Sequence, residues 1–150
     1  MFKRIMAAID GSPHANRAID HAADLASKYG AELILLHVMA SPGSAHVPPE
    51  LHDVLRIAHL KATKVDILRR VAEDLLQQGE MRAREREATI VRTLIGEGDV
   101  AESIVSHAKG EGVDLIVMGR RGLGSVASIV LGSVSQKVGH SCACALMTVM

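Results

Sequence analysis

Aromatic side chains are almost missing from this chain: Phe2 and Tyr29 are the whole complement, 1% of 150 residues, and there is no tryptophan. That excludes a platform of stacked rings for single-stranded nucleic acid, and any base held here would have to lie between aliphatic side chains. Net charge is missing as well. Lys and Arg number 17 and Asp and Glu 17, so no broad basic field exists to gather a polyanion. Cysteine is scarce, with Cys142 and Cys144 the whole supply. Read as strand residues, they share a face with His140. They are too few for a structural zinc site and poorly placed for a disulfide, so buried, reduced thiols are expected. Long apolar runs are lacking too. The run Ile5 to Ile9 stops at Asp10, short of a signal-peptide core. The uncharged stretches Gly122 to Gln136 and Val138 to Met150 fall below the ~20 residues that span a bilayer. These absences predict a soluble, cytoplasmic protein with neither nucleic acid nor membrane as a partner.

What is present is a core and a rhythm. Hydrophobic residues make up 48% of the chain, enough for one compact domain over residues 1–150. Lys3 to Ile9 is apolar at every inner position, as a central parallel strand should be. Ser12 and Pro13 form an N-cap and N1 pair, and Ala15, Ala18, Ile19, Ala22, Leu25 and Ala26 recur at helical spacing until Gly30. Leu33 to Val38 is the next strand, completing a βαβ unit. The prolines of Met39 to Pro49 mark a loop. Leu51 to Gln78 then reads as a long amphipathic helix, with Val54, Leu55, Ala58, Ala62, Val65, Leu68, Ala72 and Leu75 inward and Gly79 at its end. Within it, His52 and His59 stand about 10 Å apart along the axis, too far for one metal ion, so they read as surface histidines. Glu80 to Arg86 reads as a charged connection, Ala88 to Ile95 as a third strand and Gly96 to Gly98 as a turn. Asp99 then caps a helix running to Gly110. Strands over Leu115 to Met118 and Ala143 to Val149 complete the alternation, which implies a three-layer α/β fold around a parallel sheet.

The stretch that carries chemistry is VDLIVMGRRGLGSVASIVLGSVS, Val113 to Ser135. A buried strand breaks at Gly119 into the loop Gly119-Arg120-Arg121-Gly122-Leu123-Gly124-Ser125. A Gly132-Ser133 pair follows where Val130, Val134 and Val138 begin a helical pattern. Strand, glycine loop and helix start bring unpartnered backbone N–H groups toward an anion, with the positive end of the helix dipole behind them. Ser133 and Ser135 add hydroxyl donors. No Lys-Ser or Lys-Thr follows the glycines, so this is not a Walker A loop, and the spacing is not that of a dinucleotide fingerprint.

The spacing Gly119-x2-Gly122-x9-Gly132-Ser133 resembles the ATP-binding signature of the universal stress protein family. The resemblance extends over Ala7 to Val38 and Gly98 to Gly122, which look like that family's first strand–helix–strand and third-helix, fourth-strand blocks. It implies a Rossmann-like, adenine nucleotide alpha hydrolase-like fold: an open parallel five-stranded sheet of order 3-2-1-4-5, with a ligand where the first and fourth strands diverge. Carried over residue by residue, Gly119, Gly122, Gly132, Ser133, Val134 and Ser135 hold the phosphates. Asp10 and Ala8 lie along the ribose or near a phosphate-bound Mg²⁺, and Val38 and Met118 flank the adenine. The resemblance also implies a homodimer through the C-terminal strand. There the family's Cys-Pro pattern is replaced by Cys144-Ala145, which leaves strand pairing open as a possibility. Three functions stay open at this point: a nucleotide-dependent regulatory, stress-response protein that binds ATP with little or no turnover; a slow Mg-dependent ATPase; and a structural dimer that binds no nucleotide.

Overall fold

A computed structural model describes residues 1–40, 64–123 and 131–150. Its elements are β1 (Arg4–Ala8), α1 (Pro13–Tyr29), β2 (Glu32–Met39), α2 (Lys64–Glu85), β3 (Val91–Glu97), α3 (Val100–Gly110), β4 (Leu115–Gly119), α4 (Ser133–Ser141) and β5 (Ala145–Val149). The strands form one sheet of order β3-β2-β1-β4-β5, and every neighbouring pair is parallel. The expected order is therefore found.

β1 is central because both of its faces are apolar. Ile5 and Ala7 belong to one core with α1 and α2, and Met6 and Ala8 to a second core with α3 and α4. Ile5 and Met6 have no solvent exposure, and each such side chain contributes about 1.5–3 kcal/mol relative to exposure. The sheet is thus covered on both faces, as parallel sheets require.

α1 follows its sequence signals closely. Ser12 Oγ accepts a hydrogen bond from the Ala15 amide at 3.1 Å, Pro13 opens the helix, and Gly30 closes it in the left-handed region at φ 61°. Alanines at 15, 18, 22, 23 and 26 are buried, so the helix lies close on the sheet.

α2 departs from expectation. It runs through Gly79 to Glu85, and the segment expected to be a charged connection is helical up to that point. Its buried positions are Ala72, Leu76, Gly79 and Ala83; Val65, on the same helical face nearer the start of the helix, is 46% exposed. Gly79 is a point of close approach: a Cβ there would meet Leu35, Ile19 and Ile9 side-chain atoms at 3.2–3.3 Å. The polar side of this turn is held by Arg82, whose Nε and Nη2 donate to the two oxygens of Asp20 at 2.7 Å each. Met39, expected to open the loop Met39 to Pro49, instead ends β2; that loop from 41 onward, the first half of the long helix and both His52 and His59 lie outside the described residues, as does Val130.

β3 extends to Glu97, so Gly96 and Glu97 are strand residues paired with Val38 and Met39. The cysteines differ from expectation as well. Cys142 caps the end of α4 and Cys144 precedes β5, while His140 is helical, so the three do not share a strand face. Both thiols are free and half-buried, with Cys142 Sγ 3.5 Å from the Cys144 carbonyl. Burial, and then the neighbouring Cys142, pushes the Cys144 thiol up. No helix among the described residues is long and apolar enough to cross a membrane.

The amino-terminal edge of the sheet is tied by charge. Asp114 Oδ2 accepts from the amides of Lys3 and Arg4 at 2.7 and 2.9 Å. Glu32 accepts from Arg4 and Arg92, and Arg92 also donates to Glu111. The Arg4 and Lys3 amides hold the Asp114 carboxyl below its usual range, and Arg92 does the same for Glu111. A carboxylate depressed in the folded state contributes stability above its unfolded pKa and loses it as pH falls through the folded value. The thermal midpoint should therefore fall as pH drops below about 4. Asp114→Asn should lower the midpoint at pH 7 and flatten that fall, which a melting series from pH 7 to pH 2.5 would check.

Candidate functional site

β1 delivers its chain to α1 on one face of the sheet, and β4 delivers its chain toward α4 on the other. Between the two strands the winding reverses, so their carboxyl ends splay over a crevice. The crevice is a cavity of about 520 Å³, within the size range of ligand pockets.

Its walls come from segments far apart in sequence. Ala8, Val38 and Met118 supply buried apolar surface from β1, β2 and β4, and Val100 and Ile104 add more from α3. Asp10, Gly119 and Gly122 stand at the strand ends, and Gly132, Ser133, Val134 and Ser135 form the far rim at the start of α4. All ten residues that the family resemblance carries over to the ligand line this cavity.

Asp10 is engaged by backbone. Its Oδ1 accepts from the Ser12 amide at 2.9 Å and its Oδ2 from the Leu123 amide at 3.1 Å. The carboxylate thus joins the end of β1 to the loop leaving β4. Gly122 makes this possible, since a Cβ there would sit 2.6 Å from Asp10 Oδ2.

The rim at α4 is built of backbone. Gly132 is the N-cap and brings no side-chain acceptor to the first turn, which leaves the positive end of the helix facing the crevice. The Gly132 amide donates to the Arg120 carbonyl at 2.8 Å. Ser135 is buried, and its Oγ donates to the Gly119 carbonyl at 3.0 Å. Its hydroxyl therefore braces the loop, and what it can offer a ligand is its amide. Ser133 keeps its hydroxyl at the rim.

Two further polar residues line the cavity: the sequence leaves His37 unassigned and offers Arg121 either to phosphate charge or to water. His37 Nδ1 lies 2.9 Å from the Ile9 carbonyl. A carbonyl only accepts, so Nδ1 donates in this contact. Its place just before Val38 at a strand's carboxyl end was the signal available.

The cavity does not have the donors of a resident metal centre. No group of three or more His, Cys, Asp or Glu side chains gathers among the described residues, and the carboxylate that lines the cavity already accepts two amides. The residues present do not fit a Mg²⁺ ion held by the chain itself.

If Asp10 latches the loop, Asp10→Ala should raise the exchange rates of the Ser12 and Leu123 amides together by about tenfold or more, since each loses a charge-assisted bond. Amide hydrogen exchange followed by NMR would check this, with the Ala15 amide as the internal reference.

The sequence profile of the universal stress protein family matches residues 1–150. A universal stress protein of Thermus aquaticus, encoded in a QAH/OAS sulfhydrylase 3′ region, is 38% identical, covering 99% of this chain and 99% of that protein. The solved structure of universal stress protein UspA from Lactobacillus plantarum superposes with a TM-score of 0.80 at 26% identity, covering 99% of this chain and 97% of that one. A universal stress protein from Archaeoglobus fulgidus in complex with dAMP shares the fold, with a TM-score of 0.70 at 18% identity over 100% of this chain and 98% of that one.

Proposed function

Because the chain belongs to the universal stress protein family, we propose that it binds an adenine nucleotide, ATP by its glycine spacing, in the crevice between β1 and β4. One observation carries this reading: residues drawn from β1, β2, the β4 loop and the start of α4 line a single cavity of about 520 Å³. In this reading the adenine lies between Val38 and Met118 and the ribose passes Ala8 and Asp10. The phosphates take the first-turn amides of α4 at Ser133, Val134 and Ser135, passing close to the backbone of Gly119, Gly122 and Gly132, and Mg²⁺ enters only as a companion of those phosphates. The dAMP complex of the Archaeoglobus protein is in keeping with an adenine nucleotide as the ligand class.

The nucleotide acts as a regulatory ligand with little or no turnover. Hydrolysis wants a group that orients water at the terminal phosphate and a cation that absorbs developing charge. Asp10, the carboxylate lining the cavity, is already engaged by two amides. A nucleotide that competes for Asp10 instead shifts the loop from Gly119 to Leu123, which is how binding becomes a signal.

Mass spectrometry of small molecules released on denaturing the freshly purified protein should find an adenine nucleotide. Gly132→Val, which puts a side chain within 3.0 Å of the Arg120 carbonyl, should abolish it. Phosphate release from ATP should be no faster for the wild-type chain than for this variant. An empty wild-type protein that also fails to bind millimolar ATP would refute the proposal.

The proposed assembly is a homodimer through β5. That strand is an edge of the sheet, and Met147 within it is 38% exposed. An unpaired strand edge is a template for a second copy. Light scattering should give the mass of two chains, and Thr148→Pro, which removes a donor on the open edge because Ala145 and Val149 bond inward to β4, should give one.

A further inference from the structure

We propose that Arg121 makes the site count phosphates, favouring the triphosphate over the monophosphate; this rests on the adenine-nucleotide reading above. Arg82 and Arg92, both half-buried, are matched by carboxylates, at Asp20 for the first and at Glu32 and Glu111 for the second. Arg121 is half-buried too and lines the cavity, yet no carboxylate among the described residues pairs with it. A guanidinium taken partly out of water without a counter-charge is unfavourable. Asp10, the carboxylate lining the same cavity, has its oxygens on the Ser12 and Leu123 amides. A phosphate chain filling the cavity would supply a counter-charge.

The backbone fixes where that charge lies. A Cβ at Gly132 would stand 3.6 Å from the Arg121 Cα, and the Gly132 amide donates to the neighbouring Arg120 carbonyl. The Arg121 side chain therefore starts beside the first turn of α4, where the phosphate chain is proposed to run. A planar guanidinium takes phosphate oxygens in bidentate pairs, and each added phosphate brings more charge within its reach. Occupancy of the site then follows the triphosphate fraction of the adenylate pool.

Isothermal titration of ATP, ADP and AMP into the full chain tests this, with Arg121→Gln, Arg121→Lys and Arg120→Gln as variants. The wild-type protein should bind ATP about tenfold or more tightly than AMP. Arg121→Gln should bring the two within about twofold, mostly by weakening ATP. Arg121→Lys should restore part of the preference, and Arg120→Gln, the same loss of charge one residue away, should keep it. Equal wild-type affinities, a preference that survives Arg121→Gln, or one that collapses equally in Arg120→Gln would each overturn the role of Arg121 while leaving the nucleotide site standing. Failure of the wild-type chain to bind any of the three would overturn both.

Discussion

The burial of β1 on both faces is the constraint from which the rest follows. Ile5, Met6 and Ala7 exclude solvent completely, and alternate residues of the strand feed two separate cores. Neither core closes without helices, so one face needs α1 and α2 and the other α3 and α4. A chain that covers both faces of a parallel sheet must reverse its winding once, and the reversal falls beside the strand that starts the sheet. The crevice is a consequence of covering β1 twice.

At that crevice a single carboxylate does what no strand pairing can. Asp10 holds the amide that begins α1 and the amide of Leu123 beyond β4, so the two chains diverging from the sheet stay within reach of each other. Ser135 adds the matching tie from α4 back to Gly119. The walls of the cavity are apolar and its rim is backbone, an arrangement suited to a flat base with an anionic tail. Arg121 brings positive charge to the cavity, whereas Arg4, Arg82 and Arg92 are paired with carboxylates at the opposite edge of the sheet and along α2.

Several features were legible because they are local. The Ser12-Pro13 start and the Gly30 stop are properties of a few consecutive residues, and the cap geometry follows from their side chains. The same holds for Asp99, whose Oδ1 accepts from the Glu102 amide at 3.0 Å. The glycine spacing, read with the family resemblance, named the rim of the cavity. Gly79 was misread because a glycine that ends a helix and one that lets a helix touch a sheet look identical in sequence. The difference lies in Ile9, Ile19 and Leu35, which approach it from three other segments. The cysteines were misread because a helix end is short and its last turn carries no period of its own.

By itself the sequence determined the alternation of strands and helices, the caps, and which short stretch has the glycines to meet an anion. These depend on steric and hydrogen-bonding preferences within a few residues. Only the tertiary structure decided that Asp10 spends both oxygens on backbone, that the Ser135 hydroxyl braces the loop, and that His37 and Arg121 line the cavity. Each of these depends on which groups from distant segments come within hydrogen-bonding or charge-pairing distance once two cores have closed around one strand, and no local pattern encodes that distance.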